Sequence, residues 1–165
     1  VEHLSMKRIV CQQIANQNNT DRLIFAPINE NMFCGNSLNY ICWIGDDADV
    51  WNSVLLGLLN STLLDWRFKI TSTNNHVNNY EIDDLPLPIK ESNNPKLTNE
   101  LHEVAKIADQ LKVCHTKEIL GLRNRLDKLV FSLYCLSAKD IEFVLKQMGS
   151  THDSMQFILG VGTDE

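Results

Sequence analysis

The stretch from Val54 to Leu64 constrains this chain most. It is dense in Leu and Val, and it is interrupted by Gly57, Asn60 and Ser61. No apolar run reaches the ~20 residues a membrane-spanning helix needs, so the stretch reads as a helix buried in protein. Trp51, Val54, Leu55, Leu58 and Leu59 recur at helical spacing, and Leu56, Leu63 and Leu64 widen the stripe. A stripe that wide must be covered, and a sheet is the expected cover. Gly45-Asp46-Asp47-Ala48-Asp49 supplies N-terminal capping chemistry, and one helix is expected to run on to Phe68–Ile70.

Three strand-like segments precede this helix. Arg8 to Ala15 alternates imperfectly. Leu23 to Ile28 follows the polar turn 16–21, and Pro27 demotes its end to a sheet edge. Asn39 to Ile44 is rich in β-formers. Tyr80 to Ile89 ends in X-Pro pairs, which favour extended backbone. The composition then shifts at the linker Glu91-Ser92-Asn93-Asn94-Pro95, where Asn94 and Pro95 suit N-cap and N1. Leu101, Val104, Ala105, Ala108 and Leu111 predict one amphipathic helix, and Ile119 to Leu133 a second. Ser137-Ala138-Lys139-Asp140 opens a third, staples Leu136 against Ile141, and ends at Gly149. The expected class is α+β, a small mixed sheet with a buried helix, followed by a helical domain of about three helices. Residues 1–90 form the first unit, 95–149 the second, and 150–165 a weakly periodic tail.

Enzymatic motifs are missing. The chain has no Gly-rich phosphate loop, no HExxH, no GxSxG and no metal-spaced Cys/His cluster. Cys114-His115 reads as a helix end followed by a solvated His. Asp46, Asp47 and Asp49 lack calcium-loop spacing and read as caps. The five cysteines are irregularly spaced, as expected of reduced thiols in the cytoplasm. Cys11, Cys34, Cys42 and Cys135 are expected to pack as small hydrophobes, and Trp43, Trp51 and Trp66 as core. The chain opens on Val1 rather than Met, as a piece of a longer protein would. A net charge of −6 argues against a sequence-blind nucleic-acid binder.

The polar signal lies in amides. Arg8, Gln12, Gln13, Asn16, Asn18, Asn19 and Arg22 surround the first strand and its turn. Asn36, Ser37 and Asn39 precede another strand. Asn74, Asn75, His76, Asn78 and Asn79 form a third loop. Arg, Asn and Gln can make paired hydrogen bonds to base edges in a DNA major groove. Lys7, Arg67 and Lys69 could touch phosphates. On composition alone ordinary loop amides are the stronger reading, because Asn is common in turns. Arg123, Arg125, Asp127 and Lys128 read as the solvated face of the second C-terminal helix.

The order of these pieces resembles a known family. Arg8-Ile9-Val10 to Ala15, Arg22 to Pro27, and Phe33-Cys34-Gly35-Asn36-Ser37-Leu38-Asn39-Tyr40-Ile41 come first. Leu55-Leu56-Gly57-Leu58-Leu59-Asn60-Ser61 to Phe68, the Asn-rich turn and Leu85-Pro86-Leu87-Pro88 continue it, and Leu126 to Ser137 follows. Together they are similar to the C-terminal target-recognition domain of type IIG (Eco57I-like) restriction enzymes and adenine-specific DNA methyltransferases. The resemblance implies a module that docks on double-stranded DNA through loops 12–22, 34–39 and 72–80. It also implies catalysis in an upstream methyltransferase domain of the same protein. That domain would use S-adenosylmethionine, with magnesium where the parent also cleaves; no cofactor is expected on this chain. Neither the Asn/Asp-Pro-Pro-Tyr/Phe motif nor the nuclease motif occurs here. The rival reading is a protein-interaction module that docks through the C-terminal helices.

Overall fold

The computed structural model describes residues 2–89 and 98–160. The expected linker, its Asn94-Pro95 cap and the last five residues of the tail lie outside them. The class is α+β, a three-stranded sheet with seven α-helices among the described residues. Both strand pairings are antiparallel rather than mixed. β1 (Arg8–Gln12) lies between β2 (Phe25–Ile28) and β3 (Leu38–Ile41). Pro27 is on an edge strand, as a residue without a ladder donor must be. β2 and β3 therefore run parallel, and residues 29–37 carry the chain back from the end of one to the start of the other.

The imperfect alternation of β1 has a structural cause. Directly opposed residues share a face, so Ile9 and Cys11 point with Phe25 and Ile41 toward the helices. Arg8 and Val10 point the other way, yet both are buried. The 29–37 crossover and a short 3-10 turn (Glu2–Ser5) reach that second face. Arg8 bonds Met32 O, and Asn31 N donates to Leu4 O. A central strand covered on both faces has no reason to alternate.

The long helix expected over 48–70 is two. α1 (Ala48–Leu59) and α2 (Thr62–Thr71) break at Asn60-Ser61. Asn60 turns away from the helix: its Oδ1 accepts from Phe25 N, and its Nδ2 donates to Phe25 O and Leu56 O. It thereby blocks part of the free edge of β2. Ser61 caps α2 through Leu64 N, and Asp127 accepts from Thr62 N at 2.8 Å and Thr62 Oγ1 at 2.7 Å. Asp127 is thus a buried cap and not part of a solvated face, while Arg123 pairs with Asp21 at 3.0 Å. Burial pushes the Asp127 carboxyl up, against the Thr62 hydrogen bonds.

Residues 79–83 differ from expectation as well. They form a short helix, α3 (Asn79–Asp83), where extended chain was expected. Asn78 sits at its N-cap, and its backbone N–H donates to Glu81 Oε2 at 3.0 Å. This turn of helix lies upstream of the X-Pro pairs, so their preference for extended backbone does not reach it.

The second half continues with α4 (Asn99–Val113), α5 (Thr116–Leu133), α6 (Ala138–Gln147) and α7 (His152–Leu159). α4 is capped by Thr98. Ser137 caps α6 and Gly149 leaves it at φ 69°, the two ends the sequence announces. α7 arises within the expected tail, capped by Thr151 and closed by Gly160, and buries Ile158.

One continuous cluster of buried side chains joins the two halves, from Ile9 and Phe25 through α1 to Val104, Ala108, Val130 and Leu145. Gly57 makes the crossing of α1 and α4 possible. A Cβ there would stand 2.6 Å from Val104 Cγ1 and 3.2 Å from Val104 O. No helix among the described residues is long and apolar enough to cross a membrane.

Candidate nucleic-acid interface

The three amide-rich segments meet at the end of β1 that carries Gln12. Past Gln12 the chain leaves β1 and is stitched on both sides. Gln13 N donates to Ser37 O at 2.9 Å and Gln13 O accepts from Val77 N at 2.9 Å. Ala15 N donates to Asn75 O at 2.8 Å, and Ile14 faces His76 in an isolated β-bridge. Residues 13–17 therefore run as a strip between 37–39 and 75–77.

Side chains complete the stitching. Asn39 is 8% exposed. Its Oδ1 accepts from Gln13 Nε2 at 3.0 Å and its Nδ2 donates to Val77 O at 2.5 Å. Asn75 Oδ1 accepts from Gln17 N at 3.0 Å, Asn74 Oδ1 from His76 N at 2.7 Å, and Asn16 Oδ1 from Asn18 N at 2.9 Å. Asn78 Nδ2 donates to Glu81 Oε2 at 2.8 Å. Burial acts against ionised Glu81, but hydrogen bonds from Asn78 and Ser72 and the Arg22 charge hold its carboxyl below its ordinary range.

Several expected base readers are structural. Arg22 is buried under the third loop. Its Nη2 donates to Asn74 O at 2.7 Å, its guanidinium lies 4.8 Å over Phe68, and its Nε has no partner. Its backbone N–H donates to Asp65, which also accepts from Leu23 N at 2.8 Å. Arg8 is 5% exposed and belongs to the other end of β1, where its Nε donates to Met6 O. A guanidinium with a wholly internal set of partners cannot also read a base. Lys69 donates to Thr20 O and pairs with Asp65 at 3.7 Å, so it is not a free phosphate contact. Lys7 pairs with Asp49 at 2.8 Å.

Gln12, Asn18, Asn19, Asn36, Ser37 and Asn79 remain with exposed side chains, alongside the ring of His76 and the outer parts of Asn16, Asn74 and Asn75. Sequence reasoning missed Ile14 and Tyr80, both exposed here. Their position beside Gln13 and Asn79 was the only available signal. An open cleft of about 420 Å³ runs along the β3 segment and touches the strip at Gln13, with His3, Asn39, Tyr40 and Asn79 also lining it. The surface offers planar donor–acceptor groups and few cations.

A larger cleft of about 500 Å³ lies elsewhere, between β1–β2 and the α1–α4 pair. Its lysines have local acid partners: Lys7 with Asp49, Lys112 with Asp109, and Lys106 with Glu103. Among the described residues no group of three or more His, Cys, Asp or Glu could hold a metal. All five cysteines are free. Cys11 is buried, whereas Cys135 is exposed at φ 52° and does not pack inside. His115 is exposed at the N-cap of α5. Trp51 is buried, while Trp43 and Trp66 are half-buried, Trp43 stacked on Trp51.

No protein-family model, curated protein or solved structure matches this chain.

Proposed function

We propose that this chain is a double-stranded-DNA recognition module whose stitched loops 12–22, 34–39 and 72–80 read base edges. The convergence of three amide-bearing segments on one end of β1 carries the reading. Such a surface divides its work. Asn39, Asn75, Asn78 and Arg22 hold the loops, while Gln12, Asn18, Asn19, Asn36, Ser37, His76 and Asn79 face outward. Loops stitched through their backbone suit base readout, which needs donors and acceptors presented from a fixed place against a planar edge. The chemistry, adenine methylation with or without cleavage, would lie in a separate S-adenosylmethionine-binding domain of a cytoplasmic protein, as the family resemblance implies. With a net charge of −6 and few free cations, the chain would bind duplex weakly and best at low salt.

The rival reading, docking of the C-terminal helices on a protein, draws on Val113 and Leu120, both exposed at the α4–α5 corner. Fluorescence anisotropy with a labelled duplex pool separates the two. DNA recognition predicts duplex affinity that weakens as salt rises. Absence of duplex binding at low salt would leave the protein-docking reading.

A further inference from the structure

At the far end of the 12–22 loop, each residue from Thr20 to Leu23 bonds a helix side chain. Lys69 of α2 donates to Thr20 O. Arg22 N and Leu23 N donate to Asp65 of α2 at 3.0 and 2.8 Å. Asp21 takes its partner from the helical half: Arg123 Nη2 on α5 donates to its Oδ2 at 3.0 Å. One turn further along α5, Asp127 accepts from Thr62 at the start of α2. Helix α5 therefore touches the loop directly and also seats the helix that grips the rest of it.

The charges explain why Asp21 needs Arg123. Asp65 and Asp127 are 3% and 6% exposed. Burial pushes both carboxyls up, and the Asp21 charge pushes them further, so the carboxylates lie close enough to repel. Lys69 counters Asp65 at 3.7 Å, whereas the Arg123 charge acts on Asp127 as well as on Asp21. Without Arg123, this repulsion would drive Asp21 away from α2 and α5. Asp21 ends the turn that displays Asn18 and Asn19, so the displacement would carry those amides with it. The Arg123–Asp21 side chains are 43% and 33% exposed, and such a pair contributes little stability. Its effect falls on placement instead. We infer that Arg123 is a positioning residue for the 12–22 reading loop, acting through Asp21 and not on the duplex. The helical half then supports the reading surface from behind. This inference rests on the duplex-recognition reading above.

Selection from a randomised duplex pool by the full chain tests it, with Arg123→Gln, the double variant Asp21→Asn/Arg123→Gln and Asn19→Ala beside the wild type. Arg123→Gln should weaken discrimination about threefold at the position that Asn19→Ala also loses, while melting close to the wild-type temperature. The double variant removes the carboxylate that Arg123 balances, so it should restore that position, a rescue that simple loss of a contact would not give. In the free chain, amide exchange at Asn18 and Asn19 should quicken in Arg123→Gln and slow again in the double variant. Weaker binding of Arg123→Gln to every sequence alike, with the consensus kept, would make Arg123 a phosphate contact and overturn the proposal. If the wild type selects a consensus that Arg123→Gln reproduces at equal affinity, the positioning role is wrong and base reading survives. If the wild type selects no consensus, both readings fall.

Discussion

The α1–α4 crossing and the stitched loop end are held together by opposite means. At the crossing, Val54, Leu58, Val104 and Ala108 are fully or almost fully buried, and Gly57 lets the two helix backbones approach. Such a contact is set by volume and is stabilised by area removed from water. At the loop end, position is set by hydrogen bonds among Gln13, Ser37, Asn39, Asn75 and Val77, while the flanking side chains stay wet. The first region supplies stability and the second supplies placement. A mutation should therefore act strongly on one property and weakly on the other, according to the region it touches.

The largest effect should come from Leu58→Ala. It removes a fully buried side chain from α1 and should cost about 2–5 kcal/mol in urea unfolding. A cost near zero would show that the crossing is not the stabilising core. Asp127→Ala comes next, because it strips Thr62 N and Oγ1 of their acceptor. About 1–3 kcal/mol is expected, read by the same denaturation.

Asp127 also gives a pH signature. Burial raises its folded pKa above the ordinary 3.8, so the folded state binds the proton more tightly than the unfolded chain does. Its contribution is fully present below 3.8 and is lost as pH rises through the raised folded value. Asp65 acts in the same direction. Glu81 and Asp109, both held low, act in the opposite direction and lose their contribution on acidification. The stability difference between wild type and Asp127→Asn isolates the Asp127 part. It should move in favour of wild type from pH 7 toward pH 4, and a difference that does not change with pH would contradict the assignment.

Asn39→Ala should cost about 1–2 kcal/mol, since it leaves Val77 O and Gln13 Nε2 unpaired. Its specific mark is local: amide exchange at Ala15 and Val77 should speed up while α1 stays protected. The smallest stability effects, within about 0.5 kcal/mol, belong to Asn19→Ala and Asn36→Ala, which are exposed. If those two destabilise the fold as much as Asn39→Ala does, the division between holding and presenting amides collapses.

The legible parts of the fold were those with a local chemical cause. Ser137 and Gly149 announce both ends of α6, Pro27 announces a sheet edge, and the Leu-rich stripe announces a buried helix. The illegible parts depend on distant partners. Asn60-Ser61 looked like a blemish inside one helix, because the atoms that favour the break belong to Phe25 and Asp127. Asp127 bonds Thr62 from 65 residues away, which no local pattern reveals. Within the site, an exposed Asn and a stitching Asn carry the same letter. Asn36 and Asn39 differ only in whether Gln13 and Val77 arrive beside them. Arg8 and Arg22 read as surface forks because Met32 O and Asn74 O come from other loops.

The most direct test is selection from a randomised duplex pool by the wild-type chain, Asn36→Ala and Asn39→Ala in parallel, with thermal unfolding of each. The account predicts a wild-type consensus that loses information at one position in Asn36→Ala at unchanged melting temperature. In Asn39→Ala the consensus should degrade broadly as the melting temperature falls. Identical consensus and affinity for wild type and Asn36→Ala, or no consensus for any of the three, would contradict it.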